Sequence, residues 1–328
     1  MDKDEVFIDP ELSELFEILS WRRAADSEGE LQLIQKYIIP TGANRDNFGN
    51  WYLRIGEAPV LWSSHTDTVH RDTEKGINQK LAIDASGILG TSDGSCLGAD
   101  NGVGVWIMLK MIEAGQEGLY VFHRQEETGG KGSQYFAANH RDLLNDIKFA
   151  IAFDRRRTTS VITHQGYRTC SDEFAESLIE ELGMGHEKDD GGTFTDTKMY
   201  ARLIPECTNI SAGFQSEHSK MEVLDTHYAK SLMQTMCKID VSNLVAQRDP
   251  KGKDEWPTGY GWMGGYYNRN YYDSYASMYE DDLIQKSDTD TYMYDMITGN
   301  PHQVYRVLKA WGMASDMVMD LEKLDLVH

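Results

Sequence analysis

Short apolar runs of strand length alternate with stretches of helical period between residues 50 and 212, and this alternation constrains the fold more than any other feature. Asn50-Trp51-Tyr52-Leu53-Arg54-Ile55 alternates with a period of two, and Pro59-Val60-Leu61-Trp62-Ser63-Ser64 is a compact apolar run; both predict strands. Further strands are predicted at 119–122, 148–153, 160–163 and 208–212. Between them, residues 103–113 read as an apolar helix closed by Gly115, and 132–139, 172–182 and 195–202 as further helices. Strands alternating with helices predict an α/β fold: a doubly wound, largely parallel (mixed) sheet with helices on both faces.

The flanks read differently. Two helical patterns occupy residues 11–39, the second entered through Ser27 and stopped by Pro40, and the Gly-, Asp- and Ser-rich stretch 71–98 predicts a loop containing a hairpin. Beyond about residue 240 the composition shifts. Residues 251–280 are dominated by Gly, Tyr, Asn and Asp, and Asn300-Pro301 opens an amphipathic pattern through Val304, Val307, Leu308, Trp311, Val318 and Leu321. The expected organisation is a catalytic domain over 1–240, with 241–328 as an arm and C-terminal helix docked on it.

A formal charge of −21 disfavours nucleic acid and anionic membranes as partners. No apolar run reaches the length of a membrane span, and Met1-Asp2-Lys3-Asp4-Glu5 is unlike a basic signal-peptide start, so the expected location is the cytoplasm. Cys96, Cys170, Cys207 and Cys237 are scattered and predict no disulfide framework.

The ends of the predicted strands carry the chemistry, because open α/β sheets bind ligands beyond the carboxyl ends of their strands. Residues 60–64 lead into His65-Thr66-Asp67, 119–122 into Glu126-Glu127, 148–153 into Asp154, and 208–212 precede His218. Asp100 stands in Gly98-Ala99-Asp100-Asn101-Gly102, just before a helix. Taken singly, each has a plain structural use: a strand-end histidine, a solvated acidic pair, a turn cap. Taken together, two imidazoles and three carboxylates at strand ends suit two zinc-like ions bridged by one carboxylate, with a position left open for water or substrate.

The motifs Trp62-Ser63-Ser64-His65-Thr66-Asp67-Thr68-Val69, Leu97-Gly98-Ala99-Asp100-Asn101-Gly102-Val103-Gly104, Glu126-Glu127-Thr128-Gly129-Gly130-Lys131-Gly132-Ser133 and His218-Ser219-Lys220-Met221-Glu222, with Asn50-Trp51 before them, resemble in family order the motif series of the cocatalytic dizinc exopeptidases. That clan includes peptidase T, aminoacylases, deacetylases and compact aminopeptidases, and the likeness covers about residues 10–235. It implies a phosphorylase/hydrolase-like core and two divalent ions, Zn2+ with Co2+ or Mn2+ as alternatives. Asp100 would bridge them, His65 and Asp154 would complete one site, and Glu127 and His218 the other. Glu126 would be the general base, and Asp67 would accept a hydrogen bond from the second nitrogen of His65. Many members insert a lid domain between the equivalents of Asp154 and His218; only residues 155–217 lie there in this chain, which implies the lidless form.

The resulting expectation is an exopeptidase cleaving a terminal amide of small peptides, more an aminopeptidase than a carboxypeptidase. The alternatives are an amidohydrolase of N-acyl amino acids and a silent binding protein on the same fold. Arg155-Arg156-Arg157 reads as a carboxylate clamp or as surface ion pairs, and Thr195-Asp196-Thr197 as a site segment or a helix cap. His70, His123, His164 and His186 read as structural or solvent histidines.

Overall fold

The computed structural model describes residues 9–71 and 75–252. The Tyr-rich arm and the helix expected at 300–321 lie outside the described residues. In chain order the helices are α1 (Ser13–Leu19), α2 (Glu28–Leu33), α3 (Ala99–Glu113), α4 (Lys131–Asn139), α5 (Arg141–Leu144), α6 (Asp172–Leu182) and α7 (Thr226–Met236). The strands are β1 (Asn44–Arg45), β2 (Trp51–Ile55), β3 (Val60–His65), β4 (Leu81–Ile83), β5 (Ile88–Thr91), β6 (Gly118–His123), β7 (Phe149–Arg155), β8 (Ser160–Ile162), β9 (Glu187–Asp189), β10 (Glu206–Ser211), β11 (Phe214–Gln215) and β12 (Val223–Asp225).

Eight strands form the main sheet in the order β1-β2-β6-β3-β7-β10-β8-β9, and β11-β12-β5-β4 form a small antiparallel sheet beside it. The four central strands β6, β3, β7 and β10 are mutually parallel, while β2 and β8 flank them antiparallel. Every residue of β3, β6 and β10 is buried, as a parallel sheet covered on both faces requires.

Alternation within each strand divides the core in two. Val60, Trp62, Tyr120 and Phe122 join one cluster with Leu15, Leu19, Trp106, Phe174 and Leu232, drawn from α1, α3, α6 and α7. Leu61, Leu119, Val121 and Ala150 join the other with Phe136 and Leu144 from α4 and α5. The middle of α3 is apolar on every side because it is enclosed on every side: Val103 through Met108 are 0% exposed wherever a side chain is hydrophobic, and only the last turn, with Lys110 and Glu113, reaches the surface. Gly104 permits its close fit, since a Cβ there would stand 2.2 Å from Asn101 Oδ1 and 2.8 Å from the Phe153 carbonyl oxygen.

Several expectations are refined. Ser27 caps α2 by accepting from Glu30 N, but the chain then passes through a π-helical stretch (Ile34–Ile38) and a 3-10 turn (Ile39–Thr41) that carries it past Pro40. The helix expected at 195–202 is a 3-10 segment, Asp196–Tyr200. The interval between Asp154 and His218 is consumed by β8, α6, β9, β10 and β11, all parts of the body. Residues beyond 240 stay attached at first: Val241 and Leu244 are buried, and Arg248 donates to the carbonyls of Pro205, Ala201 and Ile204. No described helix is long and apolar enough to cross a membrane.

Candidate metal centre

Because β6, β3, β7 and β10 run in one direction, their carboxyl ends share one edge of the sheet. At that edge β3 ends on His65, β7 carries Asp154, the loop after β6 carries Glu126 and Glu127, and the loop after β11 carries His218. Asp100 comes from the start of α3, where its backbone (φ −77, ψ 102) is not yet helical.

The five candidate ligands converge as two trios that share Asp100: His65, Asp100 and Asp154, and Asp100, Glu127 and His218, each with donor atoms within 4.8 Å of one another. His65 Nε2 lies 3.2 Å from Asp100 Oδ1 and 3.4 Å from Asp154 Oδ1. His218 Nε2 lies 3.2 Å from Asp100 Oδ2 and 3.1 Å from Glu127 Oε2. The two oxygens of Asp100 thus face different imidazoles. Ligands about 2.0–2.2 Å from one ion stand about 3–4 Å apart, which is the spacing seen here.

Neighbouring groups hold these side chains. Asn101 donates to Asp154 Oδ1 at 2.9 Å, Thr195 donates to Asp154 Oδ2 at 2.6 Å, and Asp154 N donates to Asn209 at 2.8 Å. Thr195 therefore serves the site; it stands at the helix-cap position but makes no capping bond. Asp67 departs from the expected role. His65 Nδ1 meets the backbone carbonyl of Asp67 at 2.9 Å, whereas the carboxylate is 3.7 Å away and instead accepts from Glu126 N (3.1 Å) and Glu127 N (3.2 Å). Its location explains this, since a buried carboxylate seeks true donors and the Glu126-Glu127 loop offers two.

Gln125, Ser216 and His218 have φ of 60°, 57° and 62°. Such left-handed residues cost about 1–2 kcal/mol each outside glycine. They fall in the two loops that deliver Glu127 and His218, as strain at functional loops commonly does.

The charge balance seeks a cation. Burial alone would lower the His65 pKa, but the Asp100 and Asp154 carboxylates outweigh it and hold the imidazole well above its ordinary value. Asp100 and Glu127 raise His218 to about 11. Burial, then the neighbouring Asp100 charge, push Asp154 up to about 7. For Asp100, burial raises the pKa, yet hydrogen bonds to His218 and His65 hold it below the usual carboxylate range. Burial lifts Glu126 well above its ordinary value; His65 opposes this, and Asp154, Asp196 and Glu127 add to it. Glu127 Oε1 is buried with no hydrogen-bond partner among the described residues. A crowded set of imidazole and carboxylate donors with an orphaned oxygen fits divalent cations.

Sequence reasoning missed several supports. Glu222, 2% exposed, accepts from Gly98 N (2.8 Å) and Asp100 N (3.0 Å), tying the His218 segment to the Asp100 turn. Arg23 grips the same turn by donating to the Gly98 carbonyl at 2.6 Å. His123 is buried beside Asp196 (3.2 Å) and Tyr200 (2.6 Å), and Arg124 pairs with the fully buried Glu30 at 2.6 Å. The Glu222 spacing after His218 was a visible signal; the others rest on tertiary pairing alone. Of the arginine triplet, Arg155 faces Asp189 at 3.1 Å and Arg156 faces Glu217 at 3.3 Å.

The chain is a metallopeptidase with the architecture of the cocatalytic zinc exopeptidases. Residues 52–196 match Peptidase family M28. Among solved structures, the chain is similar to aminopeptidase PepT from Bacillus cereus ATCC 10987, at 14% identity over 71% of this chain and 98% of that one, with a TM-score of 0.57. A tripeptidase from Staphylococcus aureus subsp. aureus mu50 gives 14% identity over 69% and 96%, TM-score 0.57. Aminopeptidase APDkam598 from the archaeon Desulfurococcus kamchatkensis gives 14% over 74% and 96%, TM-score 0.53. At such identities the likeness establishes the fold. No curated protein sequence matches the chain.

Proposed function

We propose that this chain is an aminopeptidase that hydrolyses the N-terminal amide bond of small peptides with two divalent ions, zinc by preference. The observation that carries the reading is the sharing of Asp100 by the two trios, with Glu126 lining the same cavity of about 150 Å³. His65, Asp100 and Asp154 would hold one ion and Asp100, Glu127 and His218 the other. The ions would polarise the scissile carbonyl and lower the pKa of the attacking water.

Glu126 takes the proton from that water as the carbon–oxygen bond forms, and delivers it to the amine nitrogen as the carbon–nitrogen bond breaks. Its raised pKa suits a carboxyl group that must hold a proton between the two steps. Asp67 keeps Glu126 aimed by accepting its backbone N–H. The use of residues 155–217 for body elements leaves no inserted lid among the described residues to recognise a C-terminal carboxylate, which favours action at the amino end. The N-acyl amino acid alternative would need the cleft arginines Arg155 and Arg156 for its carboxylate, and both already face acidic partners.

Metal analysis of protein purified without chelator, together with a panel of free-amine and N-acyl amides, tests this function. Two ions per chain and hydrolysis restricted to free-amine substrates are expected. Cleavage of N-acyl amino acids alone would replace the aminopeptidase reading by the amidohydrolase one.

A further inference from the structure

We propose that Glu217 anchors the free α-ammonium group of the substrate, an inference that rests on the aminopeptidase reading above and assigns the residue that selects unblocked N-termini. Glu217 lines the same cavity as Asp100, Glu126 and His218. Its Oε1 faces Arg156 Nη1 at 3.3 Å, while Oε2 is buried and has no hydrogen-bond partner among the described residues. A buried carboxylate oxygen without a donor is unfavourable, and turning the carboxylate towards the cavity would let an entering donor relieve it.

The other carboxylates there have work already. Asp100 and Asp154 face the imidazoles of His65 and His218, and Glu126 moves the proton. Among the described carboxylates of the cavity, Glu217 is the one paired only with an exposed arginine, Arg156 at 47% exposure, a partner that an entering ammonium can replace. An ammonium carries three donors and no acceptor, which matches an acceptor-only oxygen. A blocked amine loses the charge, and a substrate carboxylate would meet Glu217 as a like charge. Placement agrees as well: the α-amine is one carbon from the scissile carbonyl, so its anchor must adjoin the catalytic centre, and Glu217 directly precedes His218.

The test uses the full-length, zinc-loaded protein and two probes, L-leucine hydroxamate and the same hydroxamate without its amino group, with Kd measured by calorimetry. Wild type should bind the amino compound on the order of ten- to a hundredfold more tightly, the worth of a charge-assisted hydrogen bond. In Glu217→Gln that ratio should fall to about threefold or less while the Kd of the des-amino probe stays unchanged. A ratio preserved in the variant overturns the proposal, as does equal binding of both probes by wild type. Should Glu217→Gln fail to fold or to hold zinc, Arg156→Gln decides: freeing Oε1 should raise the ratio several-fold, and an unchanged ratio counts against Glu217. Failure of wild type to hydrolyse any amide, or hydrolysis without a preference for free amines, sinks the functional reading itself, whereas a wild type restricted to free-amine substrates whose probe ratio survives in Glu217→Gln sinks only this assignment.

Discussion

His65 and His218 both stand 3.2 Å from Asp100, yet His65 is 1% exposed and the His218 side chain 50% exposed. The first belongs to a strand enclosed on both faces, and its partner Asp154 is bonded by Asn101 and Thr195. The second hangs from a loop in left-handed conformation, with Asp100 and Glu127 as its recorded ion-pair partners. One half of the centre is therefore built into the fold and the other is laid against it. The two proposed ions should differ in affinity, with the His65 side the tighter, because a ligand held in place loses less freedom on binding.

Asp100→Ala strikes both halves at once and should have the largest effect. Zinc content after dialysis at limiting metal should fall from two equivalents towards none, and turnover should vanish with it. Retention of two tight equivalents would remove Asp100 from its bridging place. Glu126→Gln comes next: turnover should drop by ~10²–10⁴-fold with zinc content intact. Loss of zinc in that variant would mean that Glu126 and Glu127 have exchanged roles.

The histidines divide the comparison directly. His218→Ala should empty one site and leave the affinity of the other within about threefold, whereas His65→Ala should also lower the melting temperature, since it opens a cavity in a buried strand end. Equal loss of both ions in the two variants would erase the asymmetry.

Acidity should act in opposite senses on the two states of the centre. In zinc-free protein the raised His218 value means that its pairing stabilises fully below the unfolded value of about 6.5 and is lost as pH rises through about 11. Asp154 acts in the same direction through about 7, because its raised carboxyl value favours the protonated folded form. Zinc-free protein should thus melt lower at about pH 9 than at about pH 6, by a few degrees, the His218 share being small because that side chain is exposed. Zinc binding requires neutral imidazoles and must weaken as pH falls. Calorimetry in buffers of different ionisation heat should detect the protons released; absence of proton release would contradict the pairing of His218 with the two carboxylates.

The residues that the sequence made legible are those whose positions follow from period and strand ends. Val60 to Ser64 could only be a covered strand, so His65 had to emerge at a sheet edge, and the same logic placed Asp154 and the Glu126-Glu127 pair. What stayed hidden depends on partners distant in sequence. Helix α7 has its apolar residues Ala229, Leu232, Met233 and Met236 at helical spacing, but the run is polar between them and its signal is weak without the core that it covers. The π-helical stretch at Ile34–Ile38 has no local signature. Thr195 looked like a cap because its bond to Asp154 spans 41 residues.

Glu222 shows how far such distant partners reach into the centre, and its replacement should give the smallest effect of the series. Its carboxylate takes the backbone N–H groups of Gly98 and Asp100, while Arg23 holds the Gly98 carbonyl from the other side. Gly98 itself adopts φ 70° and leaves no room for a Cβ, which would stand 2.8 Å from His70. The turn before Asp100 is thus clamped by charge on both flanks. Glu222→Gln keeps the shape but offers an oxygen to only one N–H and sets an NH2 group against the other, at a cost of about 1–3 kcal/mol. Because the clamp acts on the shared ligand, both zinc affinities should weaken together, by about three- to tenfold, while the requirement for Glu126 persists. A variant that weakens only the His218 side would show that Glu222 supports its own loop and not the Asp100 turn.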